Sequence, residues 1–269
     1  MQKGQLIFIG LGLYDETDLS IKAIQEIKAC DFVYAEFYTS SLMGTTKDRI
    51  EHTIGKPIQI LSREETENKE KILKRAENET VAFLVGGDPM TATTHLDLRL
   101  SAIKRGIPTR IIHSSSIVTA VPGLLGLQNY KFGRTTTLAY PEKNYFPVSP
   151  YHIIKENKER GLHTLVLLDI QAEKKRYMTA NEGLQLLLQM EQKVGEKIIN
   201  DTTVACVVAR AGSKNPFLRA DTVYSLQSID FGPPLHTIVI PGNLHFMELE
   251  ALVTIAGLPN KIAETMQKP

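Results

Sequence analysis

The chain places its first predicted strand at Leu6-Ile7-Phe8-Ile9, a continuous apolar run that Gly10 closes and that Leu11-Gly12 follows. A continuous apolar run without alternating polar residues is typical of a strand that is buried on both faces of a sheet. The glycines allow the backbone to turn tightly and to approach a ligand closely. The turn that follows is either a ligand-contacting loop or a simple connection from strand to helix.

The segments that follow this run alternate between helix and strand. Asp18 is predicted to cap a helix whose inward face carries Ile21, Ile24 and Ile27, and the run Asp31-Phe32-Val33-Tyr34-Ala35 predicts a second strand. Right-handed crossovers between such strands give a parallel sheet. The same alternation predicts strands near 57–61, 81–85 and 109–112 and helices over 64–77 and 93–104.

The composition changes after His113, where three serines and a stretch of small residues follow, and we place a domain junction there. The predicted domains are residues 1–113 and 114–269. In the second domain, the pattern predicts strands over 133–138, 164–170, 204–209, 221–226 and 237–240 and helices over 179–193 and 244–256. The strand over 221–226 alternates and is expected to be antiparallel. The expected fold class is therefore α/β: a mainly parallel doubly wound sheet in the N-terminal domain and a mixed sheet with helices in the C-terminal one.

The charges nearly cancel, since 31 lysines and arginines face 30 aspartates and glutamates among 269 residues. No strong net field is available to bind nucleic acid or an anionic membrane. Cys30 and Cys206 lie in apolar stretches without metal-ligand spacing, so we expect reduced core cysteines and no metal site. Neither a signal-peptide pattern nor an apolar run long enough for a membrane span occurs, and we expect a cytoplasmic protein.

Two further strand ends carry polar residues of possible functional importance. Val85-Gly86-Gly87-Asp88-Pro89-Met90-Thr91 leaves one carboxylate at a strand tip, suited to accept hydrogen bonds from a hydroxyl or ammonium group; a plain Asp-Pro turn is the alternative. His113-Ser114-Ser115-Ser116-Ile117 places hydroxyls and backbone amides before a helix, either as an anion site or as an N-cap. With the later strand ends at 167–169, 208–213 and 233–236, these residues are expected to line one cleft between the domains.

The motifs at these strand ends occur in an order that resembles the diphthine synthase family, and its archaeal members above all. Besides the segments at 9–15 and 87–89, the matching motifs are Ala35-Glu36-Phe37-Tyr38-Thr39-Ser40, Ala92-Thr93-Thr94-His95, Tyr130-Lys131-Phe132-Gly133, Ala139-Tyr140-Pro141-Glu142, Gly161-Leu162-His163-Thr164, Tyr177-Met178-Thr179-Ala180-Asn181 and Ala209-Arg210-Ala211-Gly212-Ser213. The resemblance covers nearly the whole chain, from Leu6 to about Pro259. The chain departs from the usual family residues at Val85-Gly86, at Thr91 and at Ser114-Ser115.

The resemblance implies a tetrapyrrole-methylase-like fold of two α/β domains, a homodimer and a cofactor cleft for S-adenosylmethionine. It implies that the cofactor, which leaves as S-adenosylhomocysteine, is surrounded by eight residues: Leu13, Asp88, Thr91, Ser116, Ile117, Leu168, Ala211 and His236. The implied acceptor is the amino group of an aminocarboxypropyl (3-carboxy-3-aminopropyl) histidine on elongation factor 2, which is methylated to diphthine. Neither the number of methyl groups nor the formation of an ester follows from the sequence.

No catalytic base can be assigned from the sequence. An amine can lose its proton to solvent, while Asp169 or His113 either assists that step or has a structural role. Two alternative functions remain open: a sister methyltransferase acting on a tetrapyrrole or ribosomal RNA, and a sensor that binds S-adenosylmethionine without turnover. An RNA enzyme would be expected to carry a basic stripe, which the balanced charge does not favour.

Overall fold

The computed structural model describes residues 4–38, 40–143 and 145–266. Thr39, which belongs to one of the family motifs, therefore lies outside the described residues. The chain forms two compact units: unit 1 comprises Met1–Ile117 with Ile170–Lys175, and unit 2 comprises Val118–Asp169 with Arg176–Pro269. The junction predicted after His113 lies shortly before the boundary at Ile117, and the return of residues 170–175 to unit 1 was not foreseen.

Unit 1 contains a five-stranded parallel sheet with the strand order β3-β2-β4-β1-β5. Its strands are β1 Gln5–Gly10, β2 Phe32–Glu36, β3 Gln59–Leu61, β4 Thr80–Val85 and β5 Thr109–Ile112. Its helices are α1 Ile21–Ala29, α2 Lys47–Ile54, α3 Arg63–Asn68, α4 Glu70–Ala76 and α5 His95–Lys104.

Both faces of this sheet are buried, as the apolar run at the start of the chain predicts. Ile7 and Ile9 of β1 pack in one apolar cluster, which includes residues of α1 and α2. Leu6 and Phe8 point the other way, into a second cluster with residues of α4 and α5. Helices therefore cover both faces, and the predicted doubly wound parallel sheet is confirmed.

Unit 2 is built on a mixed sheet with the strand order β11-β10-β12-β7-β6. The elements from the unit boundary onward are α6 Ile117–Leu125, β6 Thr136–Leu138, α7 Ser149–Glu159, β7 Thr164–Leu168, β8 Ile170–Gln171, β9 Arg176–Tyr177, α8 Ala180–Val194, β10 Val204–Ala209, β11 Phe217–Thr222, α9 Val223–Leu226, β12 His236–Ile240, α10 Phe246–Ala256 and α11 Asn260–Met266. Strand β8 belongs to the segment of unit 1. β6 runs parallel to β7, while β10 is antiparallel to β11 and β12, and β12 is antiparallel to β7, so the predicted mixed sheet is confirmed.

The predictions for the first helix were wrong in its N-cap and in one residue of its inward face. Ser20, not Asp18, is the N-cap of α1, because its hydroxyl accepts a hydrogen bond from the Ala23 amide at 3.0 Å. Of the three predicted inward residues, Ile27 is buried and Ile24 packs partly buried against the same cluster, whereas Ile21 is 76% exposed. Ala23 is the other buried residue of this helix. The carboxylate of Asp18 instead accepts hydrogen bonds from the backbone of the preceding loop.

Two further elements differ from the sequence-based expectation. The single helix predicted over 64–77 is divided into α3 and α4 at Lys69, whose φ of +64° lies in the left-handed region. The strand predicted over 221–226 was wrong: β11 ends at Thr222, whose hydroxyl caps the short helix α9. Val223 and Leu226 are both buried, and their spacing of three residues fits one helical turn.

Within residues 4–38, 40–143 and 145–266, no helix is both long enough and apolar enough to cross a membrane.

Candidate functional site

Three loops of unit 1 meet at the carboxyl ends of the neighbouring strands β4, β1 and β5. A Cβ atom built on Gly10 would lie 2.5 Å from the carbonyl oxygen of Gly87 and 2.6 Å from Cβ of Ser114. Real Cβ atoms do not approach other atoms so closely, so the contact requires glycine at position 10. Since ligands bind at the carboxyl ends of strands in open α/β sheets, these loops form the candidate site of unit 1.

The first loop carries Leu13 and is held by Asp18. Asp18 Oδ2 accepts hydrogen bonds from the backbone N–H of Leu13 at 2.9 Å and of Tyr14 at 2.8 Å. A side chain at Gly12, whose φ is +84°, would collide with Asp18. The second glycine of the opening motif therefore lets the carboxylate reach the loop.

The second loop connects β4 to α5 and carries Asp88, which is only 7% exposed. One carboxylate oxygen, Oδ1, accepts from the Met90 N–H at 3.0 Å and from the Thr91 hydroxyl at 3.3 Å. The other, Oδ2, lies 2.7 Å from Nδ1 of His113 and accepts from the Ser114 N–H at 3.3 Å. A carboxylate offers about four lone-pair sites, and Asp88 uses four within unit 1.

The surroundings of Asp88 keep it ionised. Burial raises its pKa, but the hydrogen bonds from Met90, His113 and Ser114 favour the carboxylate and hold the pKa below its ordinary value. The site therefore contains one buried negative charge whose position is fixed by its own loops.

A buried histidine forms a hydrogen bond to the backbone of the same loop. His95, at the start of α5, is 2% exposed, and its Nδ1 lies 3.2 Å from the carbonyl oxygen of Pro89. Because a carbonyl only accepts, Nδ1 carries the proton. Its Nε2 lies 3.4 Å from Oε1 of Glu36, the last residue of β2, which is fully buried. Burial lowers the pKa of His95 to about 4, so this ring serves to hold the Asp88 turn.

The third loop runs from His113 to the start of α6. Ser116 is 7% exposed and directly precedes Ile117, the first residue of this nine-residue helix. Thus Leu13, Asp88, Thr91 and Ser116 lie on loops at one edge of the unit 1 sheet, and Ile117 begins the helix that follows the third loop. The structure brings together these five of the eight predicted cofactor residues.

The other three predicted residues lie at one end of the unit 2 sheet. Leu168 is the last residue of β7 and His236 the first of β12, and the antiparallel register pairs their neighbours Leu167 and Thr237. His236 in turn pairs with Ala209, the last residue of β10, so that Ala211 follows at the same end. Leu168, Ala211 and His236 are 7%, 8% and 7% exposed.

Both ring nitrogens of His236 are engaged inside unit 2. Nδ1 accepts a hydrogen bond from the Ala180 N–H at 3.2 Å, and Nε2 donates to the carbonyl oxygens of Gly232 and Pro233, each at 3.1 Å. Burial lowers the pKa of His236, against the effect of these two carbonyls. The ring is thus a neutral structural element, and a ligand would contact its backbone or its ring face.

Asp169, predicted as a possible base, follows β7 and accepts from the Tyr140 N–H through Oδ2 at 3.1 Å. Its own carbonyl accepts from the Met178 N–H at 3.0 Å. The residue therefore has a clear structural task in unit 2. Across the described parts of the chain, no group of three or more His, Cys, Asp or Glu residues could hold a metal ion.

Comparison with known proteins identifies the family to which this chain belongs. Residues 5–227 match the family model described as Tetrapyrrole (Corrin/Porphyrin) Methylases. The chain therefore belongs to the tetrapyrrole methylases, and it is a methyltransferase.

Within that class the chain belongs with the diphthine synthases. It is 52% identical over 261 residues to diphthine synthase of Methanothermobacter thermautotrophicus, covering 97% of this chain and 99% of that one. It is 54% identical over 250 residues to diphthine synthase of Methanocaldococcus jannaschii, covering 92% and 97%. A crystal structure of diphthine synthase superimposes with a TM-score of 0.88 at 37% identity, covering 97% of this chain and 99% of that chain. The resemblance inferred from the motifs is confirmed.

The supporting residues of the site were the part that sequence reasoning missed. Asp18 was assigned to a helix cap, and neither the Asp88–His113 contact nor the His95–Pro89 contact was foreseen. The only available signal for Asp18 was its place a few residues after a Gly-x-Gly turn, where an aspartate can accept from nearby backbone amides. Asp88 and His113 are 25 residues apart, and only the parallel sheet brings them together.

Proposed function

We propose that this chain binds S-adenosylmethionine and methylates the amino group of an aminocarboxypropyl histidine on elongation factor 2, giving diphthine. The observation that carries the proposal is an identity of about half over nearly the full length of curated diphthine synthases. Those proteins are named for the product diphthine, and we extend the corresponding acceptor and partner to this chain.

The two groups of predicted residues fit the chemistry of this cofactor. S-adenosylmethionine supplies an electrophilic methyl group on a positively charged sulfur. The cofactor also carries an ammonium group, a carboxylate, ribose hydroxyls and an adenine ring. Unit 1 offers the backbone of the loops that Asp88 holds and the start of helix α6 at Ile117, where amides favour negative groups. Unit 2 offers apolar and small groups at Leu168 and Ala211, suited to a flat ring.

We propose that all eight residues contribute to binding the cofactor. Asp88 would act mainly by fixing the loops, because its own oxygens accept from Met90, Thr91, His113 and Ser114. The cofactor's polar groups would then meet the backbone of these loops. Since the donor already carries a good leaving group, the protein has mainly to align the acceptor nitrogen with the methyl group and to exclude water.

The partner of the proposed reaction is elongation factor 2. The near balance of 31 basic and 30 acidic residues supports a protein acceptor over an RNA acceptor, because RNA binding favours a net basic surface. We further propose a homodimer in the cytoplasm. Light scattering on the purified chain would test the dimer, since a mass of one chain at micromolar concentration would refute it.

The proposed function is tested with labelled S-adenosylmethionine and three acceptors: elongation factor 2 carrying the aminocarboxypropyl group, the unmodified factor, and a tetrapyrrole. We expect label on the first acceptor alone. Transfer to the tetrapyrrole, or cofactor binding without transfer to any of the three, would contradict the proposal.

The site itself is tested by binding measurements without an acceptor. Asp88→Ala should weaken S-adenosylmethionine binding, because four loop contacts are lost at once, and Ala211→Leu should weaken it by filling space. Asp48→Ala, which removes an exposed carboxylate in α2, is the control. An unchanged affinity in Ala211→Leu would remove the unit 2 residues from the site.

A further inference from the structure

The loop after β5 carries a histidine whose two ring nitrogens have different environments. His113 Nδ1 lies 2.7 Å from Oδ2 of Asp88, and its side chain is 71% exposed while that of Asp88 is 8% exposed. Because Asp88 is held as a carboxylate, which can only accept, Nδ1 must carry a proton. The neutral ring therefore has its lone pair on Nε2. Among the residues that the structure describes, none accepts from or donates to that nitrogen.

We propose that His113 is the general base of the methyl transfer and that Asp88 orients it; this rests on the proposed function. The acceptor amine is an ammonium ion at neutral pH and cannot attack while protonated. His113 Nε2 takes one proton from it, and Asp88, at 2.7 Å, stabilises the imidazolium that forms. The amine lone pair then forms the N–C bond to the methyl group. The C–S bond breaks with its electron pair left on sulfur, which becomes neutral.

Further rounds of methylation need the same step. After each transfer the product nitrogen is again a protonated ammonium ion, as long as it still holds a hydrogen. It must lose a proton before the next attack, and His113 must pass its own proton to solvent in between. The exposure of the ring allows that return.

The other histidines of the chain do not combine these features. The three buried ones each have a ring nitrogen engaged by a backbone group: His95, His163 and His236. His245 caps α10 by accepting from the Met247 N–H through Nδ1. His52 and His152 lie on α2 and α7, and in the described chain neither has a carboxylate within ion-pair distance. Asp88 is the charged group in ion-pair contact with His113.

The test compares His113→Gln with the wild type on aminocarboxypropyl elongation factor 2, with His52→Gln as the matched surface control. We expect the single-turnover rate of His113→Gln at neutral pH to fall by about 10²-fold or more, the usual range for general bases. The deficit should shrink as the pH rises, because more of the acceptor is then already neutral. Added imidazole should restore part of the rate in His113→Ala.

Two measurements do not depend on turnover. The affinity for S-adenosylmethionine, measured without acceptor, should change less than about threefold in His113→Gln. Nitrogen-15 spectra of the free protein should show the neutral His113 ring protonated on Nδ1 and not on Nε2.

The proposed function fails if the wild type transfers no methyl group to the modified factor. The role of His113 fails separately, if the wild type is active and His113→Gln has the same rate and pH profile. A constant deficit at all pH values, or a cofactor affinity that falls with the rate, would show a structural role and overturn the proposal.

Discussion

The loop that carries Leu13 depends on one carboxylate, and removing it should weaken cofactor binding. In Asp18→Ala the N–H groups of Leu13 and Tyr14 lose their acceptor at 2.9 and 2.8 Å. Asp18 is partly exposed, so we assign about 1 kcal/mol to each bond, which is the typical net value and lies below that of a buried charged acceptor. The free energy of cofactor binding is then weaker by about 2 kcal/mol, because binding must also order the loop. That corresponds to a dissociation constant for S-adenosylmethionine raised about 30-fold.

Asp18→Asn gives an internal comparison, because the amide keeps one oxygen near the two N–H groups but loses the charge. We expect a loss of about 1 kcal/mol, or roughly fivefold in affinity. Isothermal titration calorimetry on both variants, with Asp48→Ala as the exposed control, measures the effect. Wild-type affinity in Asp18→Ala, or equal losses in Asp18→Ala and Asp18→Asn, would refute the assignment of Asp18 as the support of this loop.

Three other predictions concern the supports of the two units. Gly10→Ala should lower the free energy of unfolding by about 1–3 kcal/mol and weaken cofactor binding, because the new methyl group would press on Gly87 and Ser114. Gly123→Ala, whose new methyl group would have no atom within 4 Å, should cost no stability. Equal melting temperatures for both variants would contradict this prediction. His95→Asn keeps a donor near the position of Nδ1, within reach of the Pro89 carbonyl oxygen, and should bind S-adenosylmethionine better than His95→Gln. The reverse order of affinities in calorimetry would show that the Pro89 contact does not support the site. In α10, burial raises the pKa of Glu248, but hydrogen bonds from Lys131, from the His245 and Gln128 amides and from His163 lower it to about 2. The ionised side chain therefore stabilises the fold above an unfolded pKa near 4.5. That stability is lost as the pH falls toward 2. Urea unfolding should therefore show Glu248→Gln less stable by up to about 3 kcal/mol at pH 7, with the gap closing in acid; a gap independent of pH would contradict the assignment.

The parallel sheet of unit 1 could be predicted because burial on both faces leaves a plain mark in the sequence. The predicted strand over 109–112 coincides with β5, and β1 extends the predicted run by one residue at each end. The errors arose where local patterns were ambiguous. Val223 and Leu226 would face opposite sides of a strand, whereas their spacing places both on one side of a helical turn. The cap from Thr222 begins the helix there. The break between α3 and α4 occurs at Lys69, whose backbone is left-handed. Glycine is the usual residue in that conformation, so the lysine gave no sign of the break in the sequence.

The loops of the candidate site could be predicted from the strand ends, but the side-chain contacts that hold those loops could not. Glycines and one aspartate after apolar runs pointed to the loops that carry Leu13 and Asp88. The contacts that hold those loops depend on the tertiary structure: Asp88 reaches His113 because β4 and β5 flank β1 in the same sheet. The grouping of the predicted unit 2 residues likewise depends on the register of β7, β12 and β10. Strand pairing of this kind cannot be deduced from periodicity alone.

The central claim is that this chain methylates the amino nitrogen of the modified histidine on elongation factor 2. The most direct measurement is mass spectrometry of the peptide that carries this histidine, after incubation of the factor with the enzyme and S-adenosylmethionine bearing a deuterated methyl group. We predict deuterated methyl groups on the amino nitrogen of the aminocarboxypropyl group, in a number that the mass reports. A peptide of unchanged mass, or a methyl group located on another residue, would contradict the account.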